Sequence, residues 1–185
     1  MYSYRQVLAI IIAITALLGL FSCAPTKKAD ALDVLKLPAE FRIEGERNGV
    51  AFCADVSLGE IGNDGARGGS IVYSLPDAFS GLRVATDTGV WEAELDGIRI
   101  SGKAAEALGA PLAPFMQSLA AAGAELINSE NGEAQTLIRV PTGDGEIEFI
   151  IDSKSGLPIA LCEKNTAGET VMEYKITDYK TQKTN

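Results

Sequence analysis

Few side chains in this sequence have the types and spacing that covalent chemistry requires. The chain contains no histidine, so the commonest general base and the commonest metal ligand are both missing. A serine nucleophile would need a lysine or carboxylate partner, but Ser101 and Ser155 lie in turn sequences and not at strand-to-helix elbows. Asn63 and Asp64 provide too few oxygen ligands for a calcium loop. The sequence therefore predicts a protein that is not an enzyme and that needs no metal or other cofactor.

Two other patterns have a structural explanation that competes with a chemical one. Segment 62–69, GNDGARGG, is rich in glycine, but it lies between two predicted strands and opens no helix, so it does not form a phosphate cradle. The acid pairs Glu92/Glu94 and Glu146/Glu148 are spaced i, i+2, which places each pair on one face of a strand. Paired carboxylates can hydrolyse glycosidic bonds. On an amphipathic strand they more often form the solvated face, and we predict that role here.

The residue with the clearest chemistry is Cys23, which ends a long apolar run. Residues 7–21 carry no charge, and Arg5 precedes them. A helix needs roughly 20 apolar residues to cross a bilayer, whereas the apolar region of a secretory signal has about 7–15. The length therefore predicts a signal peptide over residues 1–22. An uncleaved N-terminal anchor is the alternative.

The residues before Cys23 resemble the lipobox of bacterial lipoproteins. Leu20 lies three positions before the cysteine and Ser22 directly before it, although Phe21 is bulkier than the residue that the pattern usually carries. The resemblance implies that Cys23 receives a diacylglyceryl group and becomes the new N-terminus. Two or more acyl chains hold a protein far more firmly than one. We therefore expect a lipid anchor on the extracytoplasmic face of the cell membrane, or of the outer membrane where the source has one.

The charge of the chain excludes one class of partner. Its formal net charge is −9, and loss of residues 1–22 would remove Arg5 and make it −10. Nucleic-acid-binding proteins carry a basic surface, so we expect no nucleic acid. Anionic headgroups would also repel the chain, which leaves the lipid on Cys23 to hold it at the membrane.

Two cysteines remain besides Cys23. Outside the cytoplasm Cys53 and Cys162 could form a disulfide, which would contribute about 4–5 kcal/mol by closing a long loop. Two unpaired, buried thiols are a common alternative. The sequence leaves both alternatives open.

The chain after Cys23 divides into a tether and one domain. Residues 23–36 form the predicted lipidated tether, and residues 37–185 the domain. From Leu37 the apolar residues alternate and are interrupted by turn pairs such as Asn48-Gly49, which predicts about ten short antiparallel strands. Between them the period changes to that of a helix, with a break at its prolines; the stripe consists of Leu108, Leu112, Phe115 and Leu119. The predicted fold class is α+β, mostly β, with a curved antiparallel sheet packed on one helix.

Two segments carry a resemblance to a known fold group. In segment 150–180 a strand ends at Asp152, a turn closes at Gly156, Leu157 and Pro158 start the next strand, and a glycine hairpin follows. This order resembles the end of the outer-membrane lipoprotein carrier, the LolA-like group. Segment 70–100 is similar to small lipidated proteins of Gram-positive bacteria. The resemblance implies an incomplete barrel whose concave apolar face binds acyl chains beneath a helical lid.

The sequence thus supports two hypotheses for function. In the first, a lipid or another apolar ligand binds the concave face; the candidate residues are Phe52, Val56, Phe115, Met116, Leu119, Phe149, Ile151 and Ile159. In the second, these residues fill the core, and a non-catalytic accessory or sensor module contacts an envelope protein. An open apolar cavity of several hundred Å³ favours the first hypothesis. A filled interior with exposed apolar side chains at the rim favours the second.

Overall fold

The protein is described by a computed structural model that covers residues 31–47, 49–62, 67–87, 89–116, 125–128 and 135–182. The predicted signal peptide, Cys23 and Leu119 lie outside these ranges. Within them, no helix has the length and apolar character needed to span a bilayer.

Within the described residues, eleven antiparallel strands form one open sheet, in the order β6-β5-β4-β3-β2-β1-β11-β10-β9-β8-β7. The strands are β1 Ala39–Arg47, β2 Val50–Ile61, β3 Arg67–Leu75, β4 Arg83–Asp87, β5 Val90–Leu95, β6 Ile98–Ser101, β7 Glu125–Asn128, β8 Gln135–Thr142, β9 Gly145–Asp152, β10 Pro158–Asn165 and β11 Thr170–Thr181. Strands β1 and β11 pair with each other and join the two halves of the sheet. In the part of the chain that the structure describes, the end strands β6 and β7 do not pair, so the barrel is incomplete there. The predicted fold class is confirmed.

The first helix lies within the predicted tether. Helix α1, Ala31–Lys36, lies within the segment that we expected to be a free linker. Val34 and Leu35 are buried, and Leu35 belongs to the main core. A six-residue helix is unstable alone in water, so its packing against the sheet holds it. The alternating pattern starts only at Leu37, so it gives no sign of this helix.

A buried arginine fastens α1 to the sheet. Arg67, the first residue of β3, donates hydrogen bonds to the carbonyl oxygens of Gly59 at 2.9 Å, of Leu35 at 2.8 Å and of Leu37. The last carbonyl groups of a helix have no partner within it, so the guanidinium caps α1 and links it to the end of β2. Burial lowers the pKa of Arg67, and the electrostatic influence of Tyr179 opposes this shift.

The region predicted as one helix consists of three short pieces within the described residues. These are α2 Lys103–Leu108, a 3₁₀ turn Ala110–Leu112 and α3 Ala113–Met116. A Cβ on Gly109 would lie 2.3 Å from the Trp91 ring, so only glycine fits the corner between α2 and the turn. Leu112 and Phe115 are buried. The pieces therefore fill the concave side of the sheet.

The two remaining cysteines are free thiols, which corrects the candidate disulfide. Cys53 lies on β2 and Cys162 on β10, and β1 and β11 lie between these strands. Three strand spacings amount to roughly 14 Å. A disulfide needs Cα atoms about 4.4–6.8 Å apart, so the topology keeps the two thiols from pairing.

Candidate functional site

The centre of the concave face is packed core. Val56, Phe149 and Ile151 are at most 2% exposed, and Phe115 is 6% exposed. The Phe115 ring centroid lies 4.8 Å from that of Phe41 and 5.9 Å from that of Phe149. The structure thus places Val56, Phe115, Phe149 and Ile151 in the packed core, and their expected binding role stays a prediction.

The structure places the other predicted binding residues in different surroundings. Met116 is half-buried and packs against the core. A β-bulge shifts the register of β10, so Pro158 and not Ile159 pairs with Ile151. Alternation along the sequence could not show this bulge. Phe52 is the member of the predicted set that borders an apolar groove.

That groove lies at the rim of the concave side. It has two lobes of about 240 and 270 Å³, which meet at Phe79 and Leu108. We call it the rim groove, and its lining residues are Val50, Phe52, Tyr73, Pro76, Ala78, Phe79, Leu82, Ala93, Leu95, Asp96, Ile98, Ile100, Ala107, Leu108 and Pro111.

Three parts of the chain position the rim groove. A 3₁₀ turn, Asp77–Phe79, between β3 and β4 supplies Phe79. The turn between β5 and β6 has positive φ angles of 50° at Asp96 and 81° at Gly97, as a tight hairpin requires. Helix α2 is fastened to β3 because the Tyr73 hydroxyl donates to the Leu108 carbonyl at 2.6 Å. The walls are thus held by hydrogen bonds and a tight turn.

Several apolar side chains of the rim groove are exposed to water. Ile98 is 72% exposed, and Val50, Phe79 and Ile100 are at least 41% exposed. Contiguous exposed apolar groups of this kind mark interaction sites in soluble domains. The sequence analysis missed Phe79, Ile98 and Ile100. The alternation in β6 was visible, but the position of β6 at the sheet edge was not.

The convex face carries a charge cluster centred on Glu148. Arg139 Nε donates to Glu148 Oε1 at 2.6 Å, and Lys164 Nζ lies 2.5 Å from Glu148 Oε2. Burial alone would raise the pKa of Glu148, but hydrogen bonds from Lys164 and Arg139 outweigh burial and lower it. The carboxylate is buried, which corrects the solvated role predicted for this residue. Its partners arrive from the adjacent strands β8 and β10.

We expect Glu148→Gln to lower the free energy of unfolding by about 1–2 kcal/mol at neutral pH, because charge-assisted hydrogen bonds from both neighbours are weakened. A lowered pKa stabilises the fold above the ordinary value of 4.5. That contribution is lost as the pH falls through the lower pKa of the folded state. Denaturant unfolding of both proteins between pH 7 and pH 3 should show the difference shrinking in acid. Glu94→Gln, at an exposed pair with Arg99, should change stability by under about 0.5 kcal/mol.

Within the ranges given above, no three or more Cys, Asp or Glu side chains come close enough to hold a metal ion.

Comparison with known proteins adds information on the fold alone. No protein-family model matches the chain, and no curated protein matches it. A crystal structure of MucB has 18% identity and a TM-score of 0.50, with 88% of this chain covered. This chain spans 61% of the length of that MucB chain. At this identity the likeness shows a shared fold.

Two further solved structures are less similar. An uncharacterized conserved protein from Thermus thermophilus has 12% identity and a TM-score of 0.49, with 86% of this chain and 88% of the other covered. The LolA superfamily protein NE2245 from Nitrosomonas europaea has 8% identity and a TM-score of 0.45, with 84% and 93% covered.

Proposed function

We propose that this protein is a lipid-anchored, extracytoplasmic binding protein without enzymatic activity, and that it receives an apolar ligand at the rim groove. The observation that supports this proposal is the exposed apolar lining formed by Phe79, Ile98 and Ile100 beside a filled interior. The proposed binding place therefore differs from the centre of the concave face, where the side chains already bury one another.

The chemistry of the groove supports binding and not catalysis. Its titratable lining residues are Asp96 and Tyr73. The Tyr73 hydroxyl already donates to the Leu108 carbonyl, and this lining supplies no base beside a nucleophile. An apolar wall with few polar groups is typical of a site that recognises shape and apolar surface.

The proposed anchor is the lipid on Cys23. With α1 part of the domain, the linker shortens to residues 24–30. Fully extended, the chain from residue 23 to residue 31 spans at most about 28 Å. The domain would therefore remain close to the membrane that holds it. Two classes of ligand suit the groove: an acyl chain of a lipid, and apolar side chains of a protein.

Photocrosslinking in living cells tests this function with the full chain. A benzophenone amino acid placed at Ile98 should form adducts several-fold more often than one at Val90. Val90 is a suitable control because it is 59% exposed but lies next to β4, outside the rim groove. Mass spectrometry of the adducts identifies the ligand class. Equal labelling at both positions would overturn the proposal.

A further inference from the structure

Strand β6 forms one edge of the described sheet. It is the last strand at its end of the described sheet, and all four of its residues are exposed. On its inner side it pairs with β5. In an antiparallel pair only alternate residues turn their N–H and C=O groups toward the partner. The remaining groups of β6 therefore face outward, where they can pair with an added strand.

The open edge borders the rim groove directly. Ile98 lies opposite Leu95 of β5, and Ile100 lies opposite Ala93, so all four side chains share the concave face and line the second lobe. A strand added beside β6 would place every second side chain on this same face. Hydrogen bonding at the edge and apolar contact in the groove would then act on one ligand.

The edge favours a ligand with positive charge. On an added strand the side chains between the apolar ones face the opposite, convex side of the sheet. There Glu92 of β5 is exposed and lies opposite Ser101 of β6. Arg99 of β6 is already paired with Glu94, with Nε 2.9 Å from Oε2. The convex side of this edge therefore offers the carboxylate of Glu92, which favours basic side chains between the apolar ones.

The position of the anchor argues against a lipid of the anchoring membrane as the ligand of the rim groove. Along β2, Val50 lies at the rim groove and Gly59 lies at the Arg67 contact with α1, a separation of roughly 25–30 Å. A coil between residues 23 and 31 spans about 16 Å. If the domain stood upright with its groove end toward the bilayer, the α1 end would have to stand at nearly the full extension of the linker, about 28 Å. In the upright orientation a coiled linker therefore favours the groove end on the side away from the membrane.

We propose that the rim groove and the open edge of β6 together bind an extended segment of a protein partner, with apolar side chains at alternate positions and basic side chains between them. The inference rests on the proposed function, since it uses the same groove and the same lipid anchor on Cys23. It names the ligand as polypeptide, because only polypeptide can satisfy the hydrogen-bonding edge and the apolar lobe at once.

Binding of a synthetic peptide to the full-length protein in phosphatidylcholine nanodiscs tests the proposal. The probe is a fluorescent nonapeptide of alternating lysine and valine, measured by anisotropy, and the charge control replaces lysine with glutamate. We expect the lysine peptide to bind and the glutamate peptide to bind at least about tenfold more weakly. Ile98→Lys should weaken binding by about tenfold or more. Val90→Lys should leave it within about twofold, as expected for an exposed residue outside the contact.

Backbone methylation tests pairing with β6. N-methyl groups on one alternate set of peptide amides should abolish binding, whereas the same groups on the other set should be tolerated. Equal tolerance of both sets, or equal binding of the glutamate peptide, would overturn the inference. If a fluorescent fatty acid binds in an Ile98-dependent way and the peptide does not, the inference fails and the proposed function stands. If neither probe binds, both fail.

Discussion

Replacing Phe115 with alanine is expected to lower the free energy of unfolding by about 3–5 kcal/mol, as for other buried phenylalanines. Phe115 is 6% exposed, and its ring contacts Phe41 of β1 and Phe149 of β9. It therefore joins α3 to both halves of the sheet, and its loss would leave a cavity that rigid strands on either side cannot close. Guanidinium unfolding followed by far-ultraviolet circular dichroism measures the change.

Phe79→Ala is the matched control for this experiment. Phe79 is 41% exposed at the rim groove and keeps one aromatic contact, with Tyr73 at 6.2 Å between centroids. We expect its loss to cost under about 1.5 kcal/mol, since much of the ring is already in water. A small cost at Phe115, together with uptake of a fluorescent fatty acid by the wild type, would instead make the centre of the concave face a ligand pocket.

The strands could be predicted because their determinants are local. Alternation places Ala54, Val56 and Leu58 on one face of β2, and all three are buried. Asp96-Gly97 predicts the tight turn that the positive φ angles confirm. The predicted alternation begins at Leu37, and β1 begins two residues later, at Ala39. Turn chemistry and period are properties of a few neighbouring residues, so one sequence suffices.

The determinants of the site are not local. Whether Ile98 is buried or exposed depends on which strand lies at the edge of the sheet. The sequence of β6 alone does not show this. Glu148 is buried because Arg139 and Lys164 arrive from two other strands. The pairing of β10 with β9 shifts its register between Pro158 and Ala160, at the position of Ile159. In each case the deciding contact joins residues that are distant in sequence or changes a register that periodicity assumes to be regular.

The contacts of Arg67 also join residues that are distant in sequence. Replacing Arg67 is the second substitution for which we expect a large loss of stability. Segment 62–69 was predicted to be a loop, yet Arg67 is buried and donates to three backbone carbonyls. Arg67→Met keeps the apolar stem but leaves these carbonyls without their donor. We expect the free energy of unfolding to fall by about 2–4 kcal/mol, because the lost charge-assisted bonds outweigh the relieved desolvation of the guanidinium. Arg83→Met, at an exposed position of β4, should change it by under about 0.5 kcal/mol.

The loss at Arg67 should be concentrated in α1. Without the cap, the six residues of α1 retain only the packing of Val34 and Leu35 and are too short to stay helical by themselves. Hydrogen exchange should therefore show the amides of residues 31–36 losing protection in Arg67→Met while those of β1 and β2 keep theirs. Protection of α1 unchanged from wild type would show that Arg67 does not hold it. Release of α1 would also lengthen the free linker past residue 36, so the rim groove of the anchored protein could then reach the bilayer. Quenching of the single tryptophan, Trp91, by lipids with brominated chains should accordingly rise in Arg67→Met and stay at the wild-type level in Arg83→Met.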